Sequence, residues 1–414
     1  MTRPSRVQRE VVVVVYDRGS VSPSRVAGAA ADLDCDVVFV ATDSEHSRHM
    51  LDVLALFGPV VDAAALDRSD LLRTLRRLRP SAILTFSEYQ LGLTALLAAE
   101  LGLTHHALAD IPAITRKDEQ RRRFAVAGIE GPSFQPISDR TEIASAVAGI
   151  ALPAIIKPTV GASSRHTTSV HTREQATAML TEFLDTEDTM LLEELLVGRA
   201  TPAPWGDYIA VDCVAMDGDV APLFVTSKFA VVPPFRERGG YGARSIVAEA
   251  DIAEVEELAC RAVRALNIRD GIADVEIKLT VDGPRVIEVN GRLGGWVDDL
   301  AVRSAAADPV DVAVRVALGR DLDPRPAQDG PIAFHYLCVP PIEARAVRAI
   351  RDRAQLSRLP HVDRVAVLAR PGSSTDWRLG APTTVAAVLG TTDNHDELAD
   401  VVAAIESVEW IQYD

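Results

Sequence analysis

From Val11 to about Ile114, short apolar runs alternate with stretches whose apolar residues recur at helical spacing. VVVVVYD, DVVFVATD and PSAILTFSE read as strands, with SRVAGAAADL, SRHMLDVLALFG and LGLTALLAAELGL as helices between them. This rhythm predicts a doubly wound α/β domain around a parallel sheet over residues 1–114. LDRSDLLRTLRRL, residues 66–78, fits an amphipathic helix with its arginines in water. No GxGxxG follows the first strand, so a dinucleotide site has no support.

The pattern changes from Pro112. TRKDEQRRRFAVAGIEGP predicts a helix ended by a glycine turn, its arginine run mostly solvated. ALPAIIKPTVGASSRHTTSV is a β run entering a loop of small residues, and TMLLEELLVG is another strand with acids at its end. DYIAVDCVAMDGDV reads as two strands joined at Asp217-Gly218, and ADVEIKLTVDGPRVIEVN as a second pair. In the tail, AFHYLCVPP, RVAVLARP and TTVAAVLG are strands and DELADVVAAIESV a helix. These divide the chain into 115–320, with lobes 115–200 and 201–320, then a proline-rich linker at 320–331 and a small α+β domain over 330–414.

A length of 414 residues exceeds what one core accommodates. The net charge of -16 argues against a broad face for nucleic acid. Five valines are too few for a membrane span or a signal segment, so the cytoplasm is the default location. Cys35, Cys213, Cys260 and Cys338 lie far apart and indicate neither a zinc site nor a disulfide framework. The histidines, His105-His106 included, show no metal spacing and read as surface or packing residues.

The chemistry concentrates in VIEVNGRLGG, residues 286–295. Glu288, Asn290 and Arg292 are two apart, so an extended chain turns them to one face. Pro284 cannot donate to a ladder, which favours a three-residue loop at Asp282-Gly283-Pro284 pairing Glu276 with Asn290. That loop puts Glu276, Lys278, Glu288 and Asn290 on one face, whereas a two-residue loop would oppose Glu276 and Glu288. Two carboxylates and a carboxamide oxygen suit Mg²⁺ or Mn²⁺, and magnesium completes its shell with phosphate oxygens. The plainer alternative is that Lys278 and Arg292 simply neutralise the acids. Upstream, Lys157 faces PTVGASSRH, whose Gly161, Ala162, Ser163 and Ser164 can approach a phosphate, and Lys117 opens the preceding helix. Glu193-Glu194-Leu195-Leu196 offers acceptors and a backbone donor to an adenine.

These residues resemble the ATP-grasp carboxylate-amine ligases, and within them the L-amino acid ligases that form dipeptides. IADVEIKLTVDGPRVIEVNGRLGG and the IIKP strand carry the resemblance most specifically, and it spans most of the chain. It implies an N-terminal biotin-carboxylase-like domain, a two-lobed ATP-grasp region and an α+β C-terminal domain. It further implies that Lys117 and Lys157, with Ser163, Ser164 and Lys278, hold ATP, and that Glu193, Glu194 and Leu196 meet adenine. Glu276, Glu288 and Asn290 would hold two metal ions, and Arg292 would stabilise the transferring phosphoryl group. The expected reaction makes an acyl phosphate that an amine displaces, releasing ADP and phosphate, with amino acids as substrates.

Two departures stand out. Ser164-Arg165-His166 replaces the family's serine and glycine, which stiffens the flap or brings Arg165 or His166 to phosphate. The ribose-holding acid is missing, with Asp207 as a substitute. Lids are expected at 159–167 and in VVPPFRERGGYGAR, where Arg236, Glu237, Arg238 and Arg244 supply charges and Arg236 and Glu237 touch the acid substrate. Gly294, Gly295 and Trp296 would wall the pocket. A biotin-carboxylase-like enzyme and a nucleotide-binding module without catalysis remain alternatives, and the resemblance leaves a homodimer open.

Overall fold

The computed structural model describes residues 9–242, 249–323, 330–351 and 353–414; the extreme amino terminus, Arg244 and the middle of the expected linker lie outside them. Strands β1 (Glu10–Tyr16), β2 (Cys35–Ala41), β3 (Val60–Asp62) and β4 (Ala82–Leu84) form a parallel sheet in the order β3-β2-β1-β4. The valine run is buried on both faces: Val12 and Val14 pack with Phe39 and Leu84, Val13 and Val15 with Leu72, Leu75 and Leu97. The helix Arg68–Leu78 is N-capped by Asp67 and buries Leu71, Leu72 and Leu75.

Strands β5 (Phe134–Ile137), β6 (Ala154–Pro158), β7 (Thr168–Val170) and β8 (Met190–Glu194) form an antiparallel sheet, β5-β8-β6-β7, covered on one face by helices Ile143–Gly149 and Arg173–Phe183. Strands β9 (Trp205–Met216), β10 (Asp219–Phe229), β11 (Gly239–Tyr241), β12 (Gly271–Thr280), β13 (Gly283–Asn290) and β14 (Ile332–Cys338) belong to an eight-stranded sheet. After β15 (Val347–Ile350), strands β16 (Val362–Val367) and β17 (Ala386–Thr392) complete it in the order β13-β12-β9-β10-β11-β14-β17-β16, and β18 (Ile411–Tyr413) pairs with β15 alone. The tail therefore extends the central sheet through β11 and shares a core with it, in which Trp205, Phe229 and Tyr241 meet Phe334, Leu398 and Trp410.

The hairpin β12–β13 differs from expectation in its turn. Thr280 pairs with Gly283, so the turn is the two residues Val281 and Asp282. A regular ladder from that turn would set Ile287 opposite Glu276. Instead the register shifts between Glu276 and Ile277, so Ile277 faces Val286 while Glu276 faces Glu288 and Asp274 faces Asn290. Ile287 is the extra residue of a β-bulge, which returns both glutamates to one face. Pro284 is tolerated because β13 is an edge strand and Leu279–Pro284, the second pair from the two-residue turn, falls at a non-hydrogen-bonded position of the alternating ladder. Among the described residues no helix is long and apolar enough to cross a membrane.

Candidate functional site

The central sheet, the four-stranded sheet carrying Lys157 and the helix that begins at Lys117 enclose a cleft of about 280 Å³. Lys117, Lys157, Ser163 and Ser164 line one side, and Glu276, Lys278, Glu288, Asn290 and Arg292 the other. Ile155 and Ile287 add apolar wall.

Glu276 and Glu288 face each other with unequal support. Glu288 has Lys117 Nζ 3.3 Å from its Oε2, and Lys117 and Lys157 hold its carboxyl below the usual range despite burial. Glu276 makes no ion pair or hydrogen bond among the described residues; burial, then Glu288 and Asp274, push its carboxyl up to about 8. Asn290 donates from Nδ2 to Asp274 Oδ2 at 3.2 Å, which turns its carboxamide oxygen away from Asp274. Asp274 Oδ1 is buried without a partner. Hard, poorly neutralised oxygens of this kind fit a divalent cation such as Mg²⁺ or Mn²⁺. Among the described residues no three or more histidine, cysteine, aspartate or glutamate side chains form a ready metal cage, so the fit rests on two glutamates and an amide.

Lys157 lies 2.6 Å from Glu193 Oε1, and Arg121 Nε lies 3.0 Å from Glu193 Oε2. Burial raises the Glu193 carboxyl, but Arg121 and Lys157 together carry it down to about 2. Its carboxylate is thus held by two cations behind Lys157 and does not line the cleft. Burial lowers Lys157, with Glu193 opposing. Glu194 is exposed at the strand end, Leu196 is half-buried, and neither lines the cleft. Arg121 is also the exception to the expected solvated arginine run, being 4% exposed while Arg122 and Arg123 face water.

The loop after Lys157 is docked. Lys117 Nζ donates to Gly161 O at 2.9 Å, Ala381 N donates to Ser163 O at 2.9 Å, and His166 N donates to Arg378 O at 2.9 Å. His166 bonds Glu187 through Nδ1 at 2.6 Å and stacks on Phe183, and it does not line the cleft. Arg165 reaches the same glutamate at 3.1 Å from the cleft rim. Asp207, expected from the sequence to substitute for the ribose acid, accepts from Lys278 Nζ at 2.6 Å and packs against Gly198, where a Cβ would overlap its carboxylate.

The residues expected at the substrate divide. Arg236 is buried, donates to Pro233 O and Pro340 O, and staples its own loop to the tail; it does not reach the cleft, which corrects the expectation. Glu237 does line the cleft, 2.5 Å from Lys228 Nζ. Gly294 donates its N–H to Asp212 Oδ1 at 2.7 Å, Gly295 is open to the cleft, and Trp296 (φ 67°) stacks on His335 at 5.5 Å.

Residues 150–299 match the ATP-grasp domain family. The chain carries an ATP-grasp domain. Carnosine synthase 1 of Mus musculus is 25% identical over 338 residues, which cover 74% of this chain and 39% of that protein. The D-alanine–D-alanine ligase of Cupriavidus metallidurans is 25% identical over 240 residues, 56% of this chain and 72% of the relative. The chain therefore spans about two-fifths of the carnosine synthase it matches. The crystal structure of an L-amino acid ligase from Bacillus licheniformis superposes with a TM-score of 0.77 at 18% identity, over 98% of this chain and 99% of that one, and so shares the ATP-grasp fold.

Two residues, one lining the cleft and one set against Arg292 of its wall, escaped the sequence reading. Lys228 is buried among Glu237, Glu276 and Asp274, which raise its pKa against desolvation. Glu88 reaches in from the N-terminal unit: its Oε2 lies 3.6 Å from Arg292 Nε, and burial lifts its carboxyl to about 7 with Arg292 opposing. Its place just past the carboxyl end of β4, where open α/β sheets bind ligands, was the available signal.

Proposed function

We propose that the protein is an ATP-dependent carboxylate-amine ligase that forms an amide bond, with amino acids as substrates. The observation that carries this reading is the cleft in which Glu276, Glu288 and Asn290 oppose Lys117, Lys157 and Arg292. A carboxylate is a poor electrophile, and transfer of the ATP γ-phosphoryl group makes an acyl phosphate that an amine can displace. In this reading Lys117, Lys157 and the small-residue loop at 161–164 grip phosphate oxygens. Arg292, oriented by Glu88 and Asp274, faces the charge that develops on the transferring group. Glu276, Glu288 and Asn290 would hold one or two divalent ions, which supply further neutralisation of phosphate charge when bound.

Catalysis of this kind is positioning and charge stabilisation, and it calls for no covalent enzyme nucleophile. An acyl phosphate must be kept from water, and the docked loop at 159–167 covers the cleft on that side. Glu237 and Lys228, with Trp296 and Leu337 as apolar wall, border the space left for the acid and the amine.

The test is a screen of paired amino acids with ATP and Mg²⁺, read as phosphate release and followed by mass spectrometry of the product. An amide product with stoichiometric ADP supports the ligase. Phosphate release that requires bicarbonate and no amine would instead indicate a carboxylase, and nucleotide binding without any release would indicate a module that has lost catalysis.

A further inference from the structure

Asn290 closes an edge strand, so no neighbouring strand fixes its backbone on the outer side. Two side chains from outside the sheet do so instead. Gln120, on the helix Lys117–Val126, donates from Nε2 to Val289 O at 2.6 Å and accepts from Val289 N at 3.0 Å through Oε1, as a strand partner would. The same Nε2 donates to Ile114 O at 2.7 Å, which anchors the amide. His106, from the segment before that helix, donates through Nε2 to Gly291 O at 2.8 Å. Residues 289 and 291 are thus held on either side of the asparagine.

The fit around His106 is made by glycines. A Cβ on Gly291 would come 3.3 Å from His106 Nε2 and 2.5 Å from Ile114 Cγ2, and one on Gly271, where β12 begins, would come 3.2 Å from His106 Cε1. The imidazole is therefore inserted between the start of β12 and the end of β13, the two strands that carry Glu276 and Glu288. Gln120 and His106 are both buried.

We propose that Gln120 and His106 are positioning residues that clamp the backbone on both sides of Asn290 and so fix the direction in which Asn290 and Arg292 face the cleft. The inference rests on the reading of Asn290 as a metal ligand made above. An edge strand released from this clamp keeps its inner ladder with β12 but loses the restraint on its last residues, and ligand groups need placement to within about half an ångström.

The experiment uses the full chain, with Gln120→Met to remove all three hydrogen bonds of the amide at constant length, His106→Leu to remove the donor, and His106→Gln to restore one. Mn²⁺ affinity is read by electron paramagnetic resonance with a non-hydrolysable ATP analogue, beside kcat and KM for ATP and a thermal melt. Gln120→Met and His106→Leu are expected to weaken Mn²⁺ binding by about tenfold and lower kcat with KM for ATP unchanged, while His106→Gln recovers most of the loss. If both apolar variants melt cooperatively and bind Mn²⁺ as the wild type does, the clamp is overturned. Should Gln120→Met not fold, the two His106 variants decide on the same readout. A wild type that binds Mn²⁺ and the analogue but turns over no amino acid sinks the ligase reading alone, because the clamp is judged on affinity.

Discussion

Glu276 stands directly opposite Glu288 across β12 and β13, and it does so because Ile287 is an extra residue in the second strand. The bulge places two carboxylates face to face where, among the described residues, only Glu288 is ion-paired to a lysine, while Lys228 near Glu276 does not offset the burial and repulsion that raise its carboxyl. Such a pair is unfavourable by itself and is resolved by a cation. It is the local conflict that most clearly marks the cleft as a site rather than a packed interior.

Glu288→Ala tests the pair directly. Removing Glu288 takes away both a proposed metal ligand and the charge that helps raise Glu276. Amino-acid-dependent phosphate release should fall by about a hundredfold or more, while the melting temperature without metal stays close to the wild type because repulsion has been relieved. A variant that retains turnover would show that the acids do not bind the ions.

Glu88→Gln separates orientation of Arg292 from its charge. The glutamate meets the guanidinium at 3.6 Å and is otherwise unpartnered at Oε2. An amide keeps the shape and removes the charge. The expected result is a loss of about tenfold in kcat with little change in KM for ATP, since Lys117 and Lys157, the lysines proposed to grip phosphate, are unaltered. Equal losses with Arg292→Lys and with the double variant would place both residues in one unit, and additive losses would separate them.

The parallel sheet was legible because its strands are apolar on both faces and separated by helical spacing, a pattern that local sequence alone can carry. The attachment of the tail was not. β14 pairs with Gly239–Tyr241, about a hundred residues upstream, and nothing in AFHYLCVPP specifies which edge it joins. The grouping of Glu276, Glu288 and Asn290 followed from side-chain alternation, yet through the wrong turn: Pro284 was weighted as a barrier that an edge strand does not impose, and the compensating bulge at Ile287 has no sequence mark. Arg121 looked solvated because charge runs usually are, and only its distant partner Glu193 explains its burial. Arg236 shows the converse, a charged loop residue spent on carbonyl groups of its own surroundings.

His335 gives a pH-dependent signature. It is buried beside Trp296, and burial lowers its pKa to about 3 with Glu237 opposing. The unfolded chain binds a proton near pH 6.5 that the native state refuses until about pH 3, so stability is fully present above 6.5 and falls as the pH drops below it. The slope owed to this residue is about 1.4 kcal/mol per pH unit. His105 and His106 are shifted in the same direction by burial and add to the fall. His335→Phe should reduce the slope of unfolding free energy against pH between 6.5 and 4.5 by about one proton, a window above that in which Glu193 protonates. An unchanged slope would mean that His335 charges in the folded protein.

Gly380→Ala addresses the loop at 159–167, proposed to cover ATP phosphates. Gly380 has φ of +68°, and a Cβ there would overlap the carbonyl oxygen of Ser163, the same oxygen that accepts from Ala381 N. Around it Arg378 pairs with Glu182 at 2.5 Å and Trp377 meets Phe183 edge-on at 6.2 Å, so the tail's residues 377–381 hold the loop down. At φ 68° and ψ -142° the backbone lies in a region close to glycine's own, so alanine costs about 1–3 kcal/mol in strain and must also push Ser163 away. The loop would then rest in a more open position, from which Ser163 and Ser164 reach phosphate less well and water enters more readily. KM for ATP should rise several-fold, and phosphate release without amide product should increase relative to coupled turnover. A variant with only a lower melting temperature, its coupling and KM unchanged, would show that residues 377–381 support the fold without governing the loop.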